Sequence, residues 1–472
     1  MNEYKWIDQF IEKTKDKWTN ISDYVWANPE TRFEEFKSSS FLIEALEKEG
    51  FTVKKNAANI ETAFIGEFGS GKPVIGFLGE YDALAGLSQK EGISFEEPII
   101  KNGNGHGCGH NLLGTGALAA ATALKEYVTA HDIPCTIRFY GCPGEEGGSG
   151  KTFMAREGVF DDVDVALTWH PGAISYAMGA SSLANIQVYF QFKGKTSHAA
   201  ASPHLGRSAL DAVELMNIGV NYLREHIIDQ ARVHYAITNS GGISPNVVQG
   251  YAEVLYLVRA PHMTQVQEIF ERVKKIAHGA CLMTETEVEI VIDKACSNYI
   301  PNDVISEVMS DTIAEFGLPS YTEKELQFAG NIQSTLSTED MRTAFRELTG
   351  SSISRNKPLA DGVKPYIKGV GILPGSTDVG DVSWITPTAQ CHFTTCAIGT
   401  PFHTWQVVAQ GKTSYAHKGM LQVAKVLSMT ALKLLQKPEL IAEAKAELAQ
   451  TIGEDGYICP IPADVYPSAI GK

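Results

Sequence analysis

Residues 105–111 read "GHGCGHN", and the chain runs from there into the Ala- and Leu-rich segment "NLLGTGALAAATALKEYV" (111–128), which predicts a helix. The loop crowds two histidines and a cysteine between glycines. Glycine lets a backbone bend sharply and approach a ligand closely, and cysteine and histidine are side chains that hold transition metals. The alternative is a Gly-rich turn with an incidental cysteine, so the rest of the chain has to decide.

Short apolar runs on both sides of this loop end in polar, glycine-rich tips. Three of them predict strands with a loop at the carboxyl end: "PVIGFLGEYDAL" (73–84), "CTIRFYGCPGEEGGSGK" (135–151) and "DVALTWHPG" (164–172). Strands that alternate with helices imply an α/β fold, with a mainly parallel central sheet flanked by helices. Ligand sites in such sheets form where loops leave the carboxyl ends of the strands.

A different pattern occupies residues 183–295. Its segments follow the order β-α-β-β-α-β, which predicts a self-contained α+β unit. The parent pattern then resumes, with a short strand predicted at "IKGVGIL" (367–373) and a long helix at "YAHKGMLQVAKVLSMTALKLLQ" (415–436). The chain is therefore predicted to insert one domain into another, with residues 1–182 and 296–472 forming the two parts of the parent domain.

The composition narrows the class of partner. The chain has 472 residues and a net charge of −15, whereas a nucleic-acid binder needs a basic face. No apolar run is long enough to predict a membrane span. Residues 1–18 have mixed charges and no uninterrupted apolar run, and the eight cysteines are scattered. We therefore expect a cytoplasmic protein with mostly buried thiols, which acts on a small molecule.

Polar side chains recur at the predicted loop tips, and the carboxyl ends of parallel strands converge. Adjacent carboxylates point in different directions, so one can hold a metal while the next acts as a base. Each residue also has an alternative interpretation: a solvated acidic pair, a buried structural histidine, or a cysteine nucleophile with His110 as its base. The nucleophile ranks lower because it leaves the paired glutamates without a role. The tip residues are Asp82, Cys108, His110, Glu145, Glu146, His170 and His403.

The motifs together resemble the M20 metallopeptidase family, in its amidohydrolase branch. They lie in order along nearly the whole chain. Typical members of the branch have Asp after "CGH" and a "GSEDF" motif, where this chain has Asn111 and "STDVGD". The motifs that carry the resemblance are "GEYDAL" (79–84), "GHGCGHNLLGTGA" (105–117), "GCPGEEGGSGK" (141–151), "TWHPG" (168–172), "GKTSHAAASPHLGRSALDA" (194–212), "SPNVVQGYAEVLYLVRAP" (244–261), "GSTDVGDVSW" (375–384) and "GTPFHTW" (399–405).

The resemblance implies a site with two divalent metal ions per subunit, for which Zn²⁺ or Mn²⁺ is expected and Co²⁺ is feasible. Glu145 would be the general base and acid, and Asp82 would orient the site. The implied metal ligands are Cys108, as a shared thiolate, with His110, Glu146, His170 and His403.

The inserted domain would then be a lid and dimerisation domain, and the parent domain the catalytic one. The resemblance implies that His198 reaches into the site of a partner subunit in a homodimer. It also implies that Asn246 holds the substrate carbonyl and that Arg259 binds its terminal carboxylate. For a glutamate side chain the nearby candidates are Lys195, His204 and Arg207.

The implied activity is hydrolysis of an N-acyl amino acid amide, with p-aminobenzoyl-glutamate as the leading substrate. One alternative keeps the chemistry and changes the substrate, to a dipeptide or another N-acyl amino acid. The other alternative is a non-catalytic binding chain that supports a homologous second chain. The complete ligand set and Glu145 argue against a decayed site.

Overall fold

The described part of the chain, residues 2–454 and 456–470 of a computed structural model, contains two β-sheets and the helices that cover them. Its strands are β1 (Thr52–Lys55), β2 (Phe64–Gly69), β3 (Val74–Glu80), β4 (Thr136–Cys142), β5 (Val165–Gly172), β6 (Tyr176–Ala177), β7 (Ala184–Lys193), β8 (Arg232–Asn239), β9 (Tyr251–Ala260), β10 (Glu287–Cys296) and β11 (Thr388–Thr394). Its α-helices are α1 (Glu3–Ala27), α2 (Phe36–Lys48), α3 (His110–Ala130), α4 (Gly150–Arg156), α5 (Ala209–Leu223), α6 (Met263–Thr284), α7 (Asp303–Phe316), α8 (Glu323–Gln333), α9 (Thr338–Glu347), α10 (Val379–Ser383), α11 (Trp405–Gln410), α12 (Ser414–Gln436) and α13 (Pro438–Ile452).

The larger sheet has seven strands in the order β1-β2-β4-β3-β5-β11-β6. The four central strands β4, β3, β5 and β11 are parallel, and β1, β2 and β6 are antiparallel additions at the two edges. The predicted α/β class with a mainly parallel sheet is confirmed. Because the parallel strands run the same way, their carboxyl ends meet at one edge, where Glu80 is in register with Cys142.

Helix α3 is the buried helix that brings the "GHGCGHN" loop to this edge. Gly114 lies so close to β3 that a Cβ there would stand 2.5 Å from the carbonyl oxygen of Glu80. Gly116 makes a similar approach to the ring of Trp169, whose indole N–H donates to the carbonyl of Leu113 over 3.0 Å. The small residues of the segment therefore let the helix pack directly on the sheet, with α1 and α12 beside it.

The smaller sheet has four antiparallel strands in the order β10-β7-β9-β8. Burial alternates along β9, as it does in a strand with one face against a core. Helices α5 and α6 pack on that face. The order β-α-β-β-α-β expected for residues 183–295 is the observed order of elements. The domain boundaries drawn from it stay a prediction.

The strand expected at residues 367–373 is wrong. Gly369 and Gly371 have φ of 61° and 100° there, values that an extended strand cannot hold. The segment is a loop with a single bridge between Ser181 and Ile372, and β11 is the strand that rejoins the central sheet. Across the described ranges, no helix has both the length and the apolar character needed to cross a membrane.

Candidate metal centre

The Cys-His loop, residues 105–111, is folded by contacts that only glycine permits. Gly105 exchanges two backbone hydrogen bonds with Leu84, of 3.0 and 3.1 Å. Gly109 has a φ of 78° and lies against Pro171, where a Cβ would come within 3.0 Å of the proline ring. The loop is thereby threaded between the tips of β3 and β5, so that Cys108 and His110 come to the carboxyl edge of the sheet.

A first group of metal-ligating atoms comprises Cys108, His110 and His170, whose candidate ligand atoms all lie within 4.8 Å of one another. The Cys108 Sγ is 3.4 Å from His170 Nε2. The other ring nitrogen of His170, Nδ1, donates to the carbonyl of Pro171 over 2.8 Å. That bond leaves the Nε2 lone pair facing the thiol, which is the tautomer that a metal ligand needs.

A second group shares Cys108 and adds Glu146 and His403, again with all ligand atoms within 4.8 Å. His403 Nε2 lies 3.3 Å from Glu146 Oε1. The backbone N–H of His403 donates to the carbonyl of Gly107 over 2.9 Å, and this bond fixes the late segment against the Cys-His loop. Cys108 therefore stands between the two groups.

Two buried atoms of this cluster, His110 Nε2 and Glu146 Oε1, have no hydrogen-bond partner among the described residues. Buried polar atoms without a partner are rare because their desolvation is not offset. A thiol, three imidazoles and carboxylates around such atoms form a donor set that suits Zn²⁺ and related divalent cations. The arrangement fits a metal centre.

Asp82 connects the two loops that carry these ligands. Its Oδ1 accepts from His110 Nδ1 over 2.8 Å, and its Oδ2 accepts from the backbone N–H of Glu146 over 2.7 Å. The side chain is 1% exposed. A carboxylate bonded to the far nitrogen of a ligating histidine fixes its tautomer and ring orientation, so Asp82 holds His110 Nε2 toward the cluster.

Glu145 lies on the inner side of the cluster, in a third group with Glu80 and His110 whose candidate ligand atoms lie within 4.8 Å. Burial, and then the charge of Glu80, raise the pKa of Glu145 well above its usual range. For Glu146, burial raises the pKa, but the imidazoles of His403 and His110 outweigh it and lower the pKa to about 2. Neighbouring carboxylates thus have opposite proton affinities, which is the arrangement that separates an acid–base group from a ligand.

Glu80, Lys151 and Asp378 form a buried ionic chain behind the cluster that the sequence reasoning missed. Glu80 Oε2 is 3.3 Å from His110 Nε2, and its Oε1 is 2.6 Å from Lys151 Nζ. The same Nζ is 2.5 Å from Asp378 Oδ1. One signal was available: residues two apart on a strand share a face, so Glu80 points the same way as Asp82.

The two departures from the branch pattern have structural partners away from the ligand atoms. The side-chain amide of Asn111 donates to Ser22 Oγ over 3.0 Å and to the carbonyl of Gly411 over 3.1 Å. An aspartate there has no proton to donate to that carbonyl. In "STDVGD", Asp378 pairs with Lys151 and Asp381 accepts from the Thr152 hydroxyl over 2.6 Å.

The structure does not bring every predicted residue to the cluster. His198 and Asn246 are exposed, on neighbouring segments joined by the Ala199 N–H and the Asn246 carbonyl at 2.9 Å. The ring Nδ1 of His198 accepts from two backbone N–H groups of its own turn. Arg259 is half-buried, and its Nη1 donates to Ser376 Oγ over 3.0 Å. In the described ranges, no hydrogen bond joins these three side chains to the metal-ligating atoms.

Comparison with known proteins matches the same family as the motifs do. Residues 76–336 match the model of peptidase family M20/M25/M40. The chain is 54% identical over 476 residues to one of the two subunits of the p-aminobenzoyl-glutamate hydrolase of Escherichia coli, with 99% of each chain covered. It is 28% identical to the Xaa-Arg dipeptidase of Mus musculus, over 94% of this chain and 92% of that one.

A solved structure has the same fold. It is a Bacillus subtilis protein described as a dinuclear metal binding peptidase from the M20 family, which aligns with a TM-score of 0.57 at 15% identity over 90% of this chain and 99% of that one. The match to the family model, the long relative and the shared fold agree with the motif order. The chain therefore belongs to peptidase family M20/M25/M40, as an amidohydrolase of that family.

Proposed function

We propose that this amidohydrolase cleaves p-aminobenzoyl-glutamate to p-aminobenzoate and glutamate in the cytoplasm. The substrate is the one named for the E. coli relative that is 54% identical over nearly the full length of both chains. The observation that carries the proposal is the Cys108-centred cluster, in which two buried atoms aimed at the same space have no hydrogen-bond partner among the described residues.

The proposed cofactor is a pair of divalent metal ions, Zn²⁺ or Mn²⁺. When bound, they supply Lewis acidity toward water and the amide carbonyl. Two overlapping ligand groups that share Cys108 support a count of two. The residues that would hold the ions are Cys108, His110, Glu146, His170 and His403.

Glu145 is the proposed proton carrier. Water is a poor nucleophile and an amide nitrogen a poor leaving group, so hydrolysis needs one proton removed from the water and one given to the nitrogen. A carboxyl with a raised pKa beside the ligand groups suits both transfers. Asp82 holds the site in register, because it bonds to His110 and to the backbone of Glu146.

The inserted unit, residues 183–295, is proposed to act as a lid and dimerisation domain. Arg259 would bind the terminal carboxylate of the substrate, since a planar guanidinium matches a carboxylate in two bonds. Asn246 would hold the carbonyl, and His198 would donate to the oxyanion in the site of a partner subunit. The exposure of His198 and Asn246 agrees with roles that need a second component.

A cavity of about 510 Å³ beside His403 supports an aromatic acyl group in the substrate. That volume lies within the usual range of small-molecule sites. Its walls include Leu87, Pro98, Ile100 and Trp405, and Ile100 is exposed to solvent. An aminobenzoyl ring buries well on such a surface, whereas a small polar acyl group gains less from it.

The direct test is turnover by the purified chain. Metal is removed and restored with Zn²⁺ or Mn²⁺, and p-aminobenzoyl-glutamate is assayed beside a panel of dipeptides, including ones that end in arginine. We expect the highest kcat/KM for p-aminobenzoyl-glutamate. Preference for a dipeptide would replace the substrate. Metal binding without turnover, rescued by adding a homologous second chain, would favour the alternative of a non-catalytic binding chain, for which the two-subunit make-up of the E. coli hydrolase gives a reason.

A further inference from the structure

The break between α1 and α2, "NPETRFEE" (28–35), lies against the loop that carries the paired glutamates, residues 143–148, here called the Glu-Glu loop. Glu35 Oε1 accepts the N–H of Gly144 over 2.9 Å. The ring of Phe33 covers Gly144 and Gly148 so closely that a Cβ on either would stand within 3.0 Å of it. The segment therefore shapes the Glu-Glu loop from outside the metal cluster.

Arg32 makes the longest connection from this segment. Its Nη1 donates to the carbonyl of Gly147, in the Glu-Glu loop. The same guanidinium forms a two-bond pair with Asp293 of β10, with Nη1 2.9 Å from Oδ2 and Nη2 3.0 Å from Oδ1. Gln187 of β7 also donates to Asp293, over 2.6 Å. One buried cation thus joins the helix break, the Glu-Glu loop and the four-stranded sheet.

This pair is buried: the side chains of Arg32 and Asp293 are 5% and 3% exposed. A buried pair is weak evidence for stability, because desolvation of both ions offsets their attraction. Its geometric effect is stronger, since a planar guanidinium fixes direction as well as distance. The Gly147 N–H closes a tight turn onto the carbonyl of Glu145 over 2.7 Å, so a pull on the Gly147 carbonyl rotates the peptide groups that orient Glu145 and Glu146.

We propose that Arg32 is a positioning residue that couples the four-stranded sheet to the Glu145 and Glu146 carboxylates through the Gly147 carbonyl. The roles of those carboxylates rest on the proposed function. A shift of β10 moves Asp293, and the guanidinium transmits the shift to the Glu-Glu loop. The inserted unit can thereby act on the proton carrier without contacting it.

The test compares Arg32→Lys, Arg32→Met and Asp293→Asn with a matched control. Lysine keeps a charge beside Asp293 but cannot hold Asp293 in two bonds and Gly147 together. The control is Arg138→Lys, which alters another guanidinium in a two-bond pair, with Asp162 (Nη2 to Oδ2, 2.8 Å). Arg138 and Asp162 lie toward the amino ends of β4 and β5, away from the cluster.

We expect each Arg32 and Asp293 variant to lower kcat about tenfold to a hundredfold with little change in KM, because misplaced catalytic groups slow the chemical step. Amide hydrogen exchange in residues 143–148 should quicken about tenfold in the same variants. Arg138→Lys should change the melting temperature alone. If Arg32→Met does not fold, Arg32→Lys and Asp293→Asn carry the test.

Wild-type kcat and loop exchange in Arg32→Lys would overturn the inference, as would an equal loss of kcat in Arg138→Lys. Failure of the proposed function gives a different result, in which the wild-type protein hydrolyses none of the substrates. Exchange in residues 143–148 and bound metal then decide the role of Arg32: a change in either that is absent from the Arg138 variant supports it, and no change in both overturns it.

Discussion

Asp82 and His110 at the edge of the seven-stranded sheet are buried and bonded to each other, whereas His198 and Asn246 beside the four-stranded sheet are exposed. Both sets were singled out by the same family resemblance. The first set meets within one chain, because parallel strand ends converge. The second set needs a moving lid or a second subunit to reach the cluster. The contrast separates what one folded chain assembles from what assembly or closure has to supply.

The largest expected effect is on the buried side of this contrast. Glu145→Gln keeps the shape of the side chain but cannot shuttle a proton, so kcat should fall by about 10²- to 10⁴-fold. Metal content should stay at the wild-type level, measured by mass spectrometry of the metal-restored protein. Glu61→Gln, at an exposed glutamate, is the matched control. Full activity in Glu145→Gln would remove Glu145 from the proton-carrying role.

His198→Ala tests the exposed side. We expect kcat to fall by about 10²-fold, the effect of losing one oxyanion donor, with metal retained. Mixing this variant with Glu145→Gln sharpens the test. In a mixed dimer, one site combines an intact Glu145 with an intact His198 from the partner, so activity should return in part. No recovery in dimers shown to have exchanged chains would place His198 in its own subunit's site, and loss of metal would make it a ligand.

A smaller effect is expected at Arg259, which lies between the two sides. Arg259→Lys keeps the charge but loses the planar two-bond donor, so kcat/KM for p-aminobenzoyl-glutamate should fall about tenfold, mostly through KM. A substrate analogue with an amide in place of the terminal carboxylate should show no difference between the variant and the wild type. An equal loss on that analogue would assign Arg259 a structural role through its bond to Ser376.

The smallest effect concerns stability and pH. Burial, and then the nearby His110, lower the pKa of His106 to about 4, whereas an unfolded histidine has a pKa of about 6.5. The unfolded chain therefore binds more protons between these values, and His106 should reduce the free energy of unfolding by roughly 3 kcal/mol as pH falls from 6.5 to 4.

Denaturant unfolding at several pH values measures this slope. His106→Gln should flatten it, since glutamine can still donate to the Val25 carbonyl that His106 contacts at 3.0 Å. His278→Gln, at an exposed position, should leave it unchanged. Equal slopes in wild type and His106→Gln would contradict the assignment of a neutral, buried His106.

The sequence was most informative where chemistry and periodicity coincide. Loops with Cys108 or His170 at strand ends predicted both the sheet edge and the cluster, because parallel topology brings such tips together. Local patterns failed where a contact spans the chain: nothing near Arg32 indicates Asp293, 261 positions away. The segment 367–373 failed for another reason, since its apolar residues suggest a strand while two left-handed glycines prevent one.

The central claim is that Cys108 stands at the middle of a divalent metal centre. Anomalous diffraction from crystals of the zinc-loaded protein, recorded on both sides of the zinc edge, tests it directly. The account predicts two peaks, with Cys108 Sγ at about 2.3 Å, the usual Zn–S distance, from at least one of them. A fully active, zinc-loaded crystal with its peaks away from Cys108 and His110 would contradict it.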